Sequence, residues 1–427
     1  MNARPQSEPA PLCPLPRSGL RGTPGIVLHI LVAVAVSLMG IGICAMGTAS
    51  QARTDMIETV STVVMLLLVV YLWRVTRTVK GIIPVLILVG VLMTYYTSSI
   101  LPAAVLSGLV FAISQGSVLL ALQPKDKLLW FPIIPILAYA VTIAVSQDAV
   151  SSAAVLIPFP PMIVLAWGTR NSAEKQDGLT RVGVICATSL ALGLSIGVMT
   201  LVGVYRRLGT LEPAVLLEAL EGFRTALIDE IASTEIPTEG FNEEAIEEFK
   251  NMLSYANVTN VVNSVFNLLP ALAIVVVNLL SATVQLIQHG TLRAFGCGDS
   301  ITDRVRAFRM SLISCVVFLV AYLIAFLESF MEGSVASSLT GTVAQNVYVI
   351  LLPGLAFAGM LRLIGRLVRK GAQGMGCLFF FVILIPCLFL FAPFLFAAIE
   401  VIGHIFRSIT DAIKPPDDDQ DLFGSGQ

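Results

Sequence analysis

Long apolar runs separated by short charged clusters dominate the chain. A helix needs about 20 apolar residues to cross a bilayer's hydrocarbon core. Between Arg21 and Arg53 lie 31 uncharged residues, which predicts a first span near 26–48. The run after Glu58 is shorter and predicts a second near 56–73. Gly81 to Pro124 carries no charge over 44 residues and predicts two spans, with Ser98, Ser99 and Pro102 at their turn. Residues 128–147, 149–168 and 182–205 predict further spans, followed by 257–288, 310–327 and 345–361. The run 371–399 contains Pro386 and Pro393 and reads as one tilted span, or a broken or re-entrant one. The pattern as a whole is that of an all-α, polytopic transmembrane helix bundle of about eleven spans.

The polar segments set the remaining boundaries. Residues 1–24 are rich in proline and read as a disordered tail. Residues 25–205 form an N-terminal membrane bundle of seven spans, 257–405 a C-terminal one of about four, and 406–427 an acidic polar tail. The first apolar stretch, about 23 residues, exceeds the roughly 7–15 of a signal-peptide core and reads as a retained span.

Between the bundles lies an acidic insert, 206–256. Its apolar positions Leu211, Val215, Leu216, Leu220, Phe223, Leu227 and Ile231 recur at three and four, the mark of an amphipathic helix. Pro237 falls in the break, and Asn242 reads as the N-cap of a second helix that carries Ile246, Phe249 and Leu253 on one face. This pair reads as a cap on the bundle, a lid over an entrance, or a docking surface.

Composition agrees with the pattern. Of 427 residues, 56% are hydrophobic and 13% charged, about half the charge of a soluble protein. The sign of that charge orients the chain. With the N-terminus cytoplasmic, 19 of 26 Lys and Arg fall on inside segments, and the excess recurs at every inside loop. The insert then lies outside the cytoplasm. The net charge of −2 thus divides into +13 inside and −15 outside.

Candidate chemistry is sparse. In the span 257–288 the residues Asn260, Asn263, Asn267, Asn278, Ser281 and Gln285, with His289 just beyond, share one side of a helix. Amides in hydrocarbon are unfavourable unless paired. The stripe therefore makes interhelical hydrogen bonds or lines a substrate path. Pro270 interrupts it, and a break there would free backbone carbonyls as in transporter sites. The run Ile157-Pro158-Phe159-Pro160-Pro161 excludes regular helix, because proline removes donors and restricts its predecessor. It reads as a kink or as the lining of a cavity. Ser107, Ser114, Gln115 and Ser117 read as packing polar groups, and Gly193 with Gly197 as a close-packing pair. Glu328 and Glu400 fall at span ends, within reach of water or headgroups.

Catalytic and cofactor motifs are missing. The chain has no phosphate-binding GxxxxGK[ST] loop, no HExxH and no GxSxG. His29, His289 and His404 are far apart, and none of the seven cysteines forms a CxxC pair. No catalytic residue, metal or cofactor is therefore expected, and the protein reads as a non-enzyme. Its basic clusters are short loops suited to topology and headgroups, not to nucleic acid.

The layout over residues 26–405 resembles the YybS-like family of uncharacterised bacterial multi-pass membrane proteins. The resemblance rests on Ser99-Ile100-Leu101-Pro102-Ala103-Ala104, on Ile157 to Arg170 ending in Trp167-Gly168-Thr169-Arg170, and on the acidic insert. It rests also on Leu268-Leu269-Pro270-Ala271 followed by Asn278, on Arg306 to Ser311, and on Leu352-Pro353-Gly354-Leu355-Ala356. It implies a bacterial cell membrane location and a distant similarity to the substrate-binding subunits of energy-coupling-factor vitamin transporters. Those subunits dock through small residues on an early helix, and Ala33 and Ser37 stand in a comparable place. The expectation is a small-molecule permease or substrate-binding transport subunit, with the bilayer, a small solute and a membrane-protein partner as ligands. The alternative is a non-transporting scaffold for cell-envelope or sporulation machinery.

Overall fold

The computed structural model describes residues 23–46, 51–75, 99–122, 131–174, 181–234, 243–295, 310–330, 335–369 and 397–406. Its regular elements among these residues are all helical: α1 Thr23–Met46, α2 Gln51–Val75, α3 Leu101–Leu122, α4 Ile133–Ser146, α5 Phe159–Glu174 and α6 Arg181–Leu208. There follow α7 Pro213–Ala232, α8 Glu243–Met252, α9 Tyr255–Ala294, α10 Leu312–Phe330, α11 Val335–Arg369 and α12 Ala397–Phe406. Among the described residues six stretches are long and apolar enough to cross a membrane, and four shorter apolar helices accompany them. The expected span between Gly81 and the turn at Ser98, and nearly all of 371–399, lie outside the described residues. Side chains such as Leu190 and Ile313 are 66% and 75% exposed, as fits helices whose outer face meets lipid.

The chain forms two compact units, and the division runs through α9. The first comprises residues up to Tyr255 with Val276–Asp303; the second comprises Ala256–Val275 and the residues from Arg304 onward.

The first unit is built around α1 and α3. Gly108 faces Ala35 and Met39 while Gly42 faces Leu101 and Val105, so the two helices run antiparallel. A Cβ on Gly108 would stand 2.8 Å from the Ala35 carbonyl oxygen, which is why glycine occupies that position. In lipid, helices gain little from apolar burial and associate through close packing, so small residues mark the contact. Gly116 plays the same part where Met162 of α5 crosses α3. The pair Gly193 and Gly197 does not: a Cβ on Gly193 meets only Val277 at 3.9 Å, and one on Gly197 meets nothing within 4 Å. The tight contact expected there lies at Gly108.

The proline run breaks the helix only at Ile157 and Pro158; Phe159, Pro160 and Pro161, expected to lie outside regular helix, open α5 instead. A single turn Ala149–Ser152 passes into a 3₁₀ turn Ala153–Leu156, and α5 starts afresh at Phe159. Pro160 and Pro161 thus occupy the first turn of α5, where backbone N–H groups have no intrahelical acceptor. Asp148 caps the turn before it, accepting from the Val150 and Ser151 nitrogens at 3.0 and 3.3 Å. Arg206, near the end of α6, donates to Asp148 Oδ2 at 2.8 Å. Ser99 starts α3, accepting from the Leu101 nitrogen at 3.2 Å and donating to Glu58 of α2 at 2.6 Å.

In the insert, α7 begins with Pro213 at its first position, two residues after the expected start at Leu211. Ile228 is its one buried side chain among the described residues, whereas Leu217, Leu220 and Phe223 are exposed. The expected cap Asn242 lies outside the described residues.

In the second unit α10 and α11 form a hairpin. Met310 lies beside Gly354, and the Glu328 carboxylate lies on Gly341, at opposite ends of the pair. Cys315, Phe318, Leu355, Ala397 and Val401 form its core, which joins α12 to the hairpin. Glu400 is 1% exposed, with His404 Nε2 3.3 Å away, so it is buried instead of open to water as expected.

Candidate functional site

The polar stripe of α9 is divided between the two units. Asn260, Asn263 and Asn267 belong to the second; Asn278, Ser281 and Gln285 belong to the first. Asn260 and Asn267 are exposed, Asn263 and Asn278 half-buried, and Ser281 and Gln285 buried. The six residues therefore do not share one environment.

In the second unit the decisive residue is Pro270. The helix continues through it. Proline brings no N–H, and its ring presses on the preceding turn, so neighbouring backbone bonds need outside partners. Asn346 of α11 supplies them. Its Nδ2 donates to the Asn267 carbonyl at 2.8 Å, and its Oδ1 accepts from the Ala271 nitrogen at 3.1 Å. A regular helix would join that carbonyl and that N–H to each other. The carboxamide, a peptide group in miniature, thus bridges both. The same Nδ2 donates to the Thr342 carbonyl of its own helix at 2.8 Å, which fixes its orientation.

Asn346 was not among the residues singled out, although the sequence carries a signal for it. Residues 259–273 and 342–356 both read Thr-x3-Asn-x4-Leu-Leu-Pro-[Ala/Gly]-Leu-Ala. Asn263 and Asn346 occupy equivalent places in this repeat, as do Pro270 and Pro353. Both prolines lie inside helices, in α9 and α11. Asn263 Oδ1 is buried and has no partner among the described residues.

In the first unit the last turns of α9 meet α3 and α5. Gln115 Nε2 donates to Thr291 Oγ1 at 3.0 Å, and Thr169 Oγ1 lies 3.1 Å from Gln288 Oε1. Gln115, Gln288 and Thr291 have no measurable exposure. Ser114, Ser117, Thr169 and Thr291 each donate to a carbonyl of their own helix at 2.7–3.2 Å. Arg170 Nε donates to the Ala121 carbonyl at 3.2 Å, at the end of α3. Gln115 Oε1, Gln288 Nε2, Ser281 Oγ, Thr188 Oγ1 and Ser189 Oγ are buried with no partner among the described residues. Gln288 and Thr291 escaped the sequence reading because Gln288 lies about 20° beyond the arc of the stripe, with Thr291 further round. Only the packing shows that the buried side of α9 drifts round at this end.

The prolines around the start of α5 divide similarly. Pro158 and Pro161 are buried and Pro160 is exposed, so the proline run contributes a helix start beside α3. No group of three or more His, Cys, Asp or Glu side chains able to hold a metal occurs among the described residues. No family model, curated protein or solved structure matches the chain.

Proposed function

We propose that the chain is a small-molecule permease or the substrate-binding subunit of a transporter, set in a bacterial cell membrane with its N-terminus cytoplasmic and about eleven spans. One observation carries this reading: the repeated Leu-Leu-Pro-[Ala/Gly]-Leu-Ala segment, which places a proline inside each of two apolar helices. Proline-bearing apolar segments at corresponding positions of a repeat are a pointer to a transporter's binding region, and here both prolines lie inside continuous helices of the second unit. The buried amides of α9 and α3 add support, because polar groups in a bilayer face a partner or a wet cavity. The resemblance to the YybS-like family is part of the same proposal.

The test begins with purification of the full chain in mild detergent and mass spectrometry of retained small molecules. Uptake of a retained compound into vesicles is then measured. Replacing Asn267 and Asn278 by Leu is expected to abolish uptake while the folded yield stays unchanged. Unaltered uptake in that variant would remove those residues from the path.

The exposed apolar side chains Leu217, Leu220 and Phe223 of α7 favour a second reading, a scaffold that docks a partner through the insert. Crosslinking from position 223 that repeatedly gives one partner, together with no retained solute, would select it.

A further inference from the structure

We propose that the groove between α1, α2 and α4 of the first unit binds a single-chain anionic amphiphile, a long-chain fatty acid in its chemistry. The inference deepens the transport reading by naming a substrate class. It rests on that reading only for the claim that the fatty acid is cargo.

The groove follows from the sequence of α1. Gly25, Ala33 and Ser37 fall in one row at spacings of eight and four, so they lie above one another on one face. Their short side chains leave a trough along the helix. Both α2 and α4 pack on α1 and wall this trough, and the cavity they enclose has a volume of about 970 Å³. It runs from Gly25 to Ile41, 16 residues at about 1.5 Å each, or about 24 Å. Its lining is apolar apart from His29, Ser37 and Ser61, and contains no Asp, Glu, Lys or Arg.

Shape selects a hydrocarbon chain over a helix as the occupant. Near the C-terminal end of α1, Ala45, Ile57 and Leu101 form a small core, and Ile41 and Val145 pack against it. Ile57 belongs to α2 and Val145 to α4, so the two walls converge there. A helix, about 10–12 Å across, does not fit between converging walls, whereas a chain one methylene wide does. Ile26, Ile30, Val60 and Leu137 along the groove are more than half exposed, so it is open sideways and can fill laterally from a bilayer.

The headgroup then decides which chain is held, because lipid tails are as apolar as the groove itself. The polar end lies at the start of α1, where Gly25, Ile26 and His29 line the cavity. The His29 ring is fixed there, with Nδ1 donating to the Gly25 carbonyl at 2.7 Å. The positive end of the helix dipole lies at the same end, and Arg17 and Arg21 precede it in the sequence. This charge complements a carboxylate. In its own leaflet an acyl chain spans about 15 Å, half of the hydrocarbon core. The longer groove therefore suits one chain drawn out straight, with its acid group beside His29.

The experiment uses the full-length protein in phosphatidylcholine nanodiscs and two photoreactive probes. One is palmitic acid with a diazirine in its chain; the other is phosphatidylcholine carrying the same chain. Labelled positions are read by mass spectrometry. The fatty-acid probe is expected to label the groove saturably, at positions such as Val60 and Leu137. Palmitic acid should displace it at least about tenfold better than hexadecanol, which lacks the charge. The phospholipid probe should label exposed positions such as Leu190 and Ile313 at least as strongly as the groove. Val34→Trp fills the trough and should cut groove labelling by about tenfold.

Equal fatty-acid labelling of the groove and Ile313, equal displacement by hexadecanol, or no groove labelling would overturn the site. Preferential groove labelling by the phospholipid probe would also overturn it, and would assign the groove to bilayer lipid. If Val34→Trp fails to fold, the two probes compared on the unaltered protein still decide. Displaceable groove labelling without vesicle uptake of palmitic acid or any retained solute would leave the site standing and remove the transport reading. Uptake of a retained solute without groove labelling would do the reverse.

Discussion

The side-chain oxygen of Asn346 lies 3.1 Å from the backbone nitrogen of Ala271, which is 75 residues earlier in the chain. With the 2.8 Å bond from Asn346 Nδ2 to the Asn267 carbonyl, it holds both halves of one helical peptide pair beside Pro270. The proline of one helix and the amide of another are therefore a single device.

Replacing Asn346 by Leu leaves that carbonyl and that N–H without their side-chain partner. A loss of about 1–3 kcal/mol is expected in detergent unfolding. Pro270→Ala restores an N–H and removes the ring, so the Asn346→Leu loss should shrink in that background. A double-mutant cycle with coupling below about 0.5 kcal/mol would show that the two residues act independently.

Gly108→Ala is expected to destabilise the first unit by about 1–3 kcal/mol, because its Cβ meets the Ala35 backbone, which cannot rotate away. Gly197→Ala meets open space and should be neutral or stabilising by up to about 1 kcal/mol. Unfolding curves of the two variants give the comparison directly. Equal effects would contradict the placement of the close contact.

Stability should depend on pH through Asp148. The Arg206 guanidinium beside it, helped by Ser151 and the backbone N–H groups, holds its carboxyl well below the usual carboxylate range. A carboxyl depressed in the folded state contributes stability above its unfolded value, about pH 4, and loses it as pH falls below that. The pair is exposed, so the contribution should stay under about 1 kcal/mol and shrink in high salt. Asp148→Asn keeps a capping side chain but removes the charge, and should flatten the acid limb of the stability profile.

Ser99 ties the start of α3 to α2 through Glu58. Ser99→Ala should lower stability by about 1 kcal/mol, the usual net effect of losing a side-chain hydrogen bond, here that to Glu58. Adding Glu58→Gln should then change little further, since its partner is already gone.

The long apolar helices were legible in the sequence because an apolar run of about 20 residues, the length that suffices to cross a bilayer, is a one-dimensional pattern. A break at the proline run was legible too, since proline acts on its own neighbours, but the structure confines it to Ile157 and Pro158 and restarts the helix at Phe159. The amphipathic pattern likewise gave α7 to within two residues at its start.

Other features needed the third dimension. Gly193 and Gly197 look identical to a packing pair in sequence, yet Gly108 makes the close contact, because what a glycine meets depends on its neighbour's backbone. Pro270 announced a weak point, but only the position of Asn346 shows how it is sealed. The stripe on α9 was visible as polarity, whereas the pairing of Thr291 with Gln115 and of Gln288 with Thr169 came from packing. By itself the sequence determined which segments are helical and apolar, since those properties are local. The tertiary structure decided which polar groups find partners and which remain unpaired, since a hydrogen bond joins residues that the chain keeps far apart.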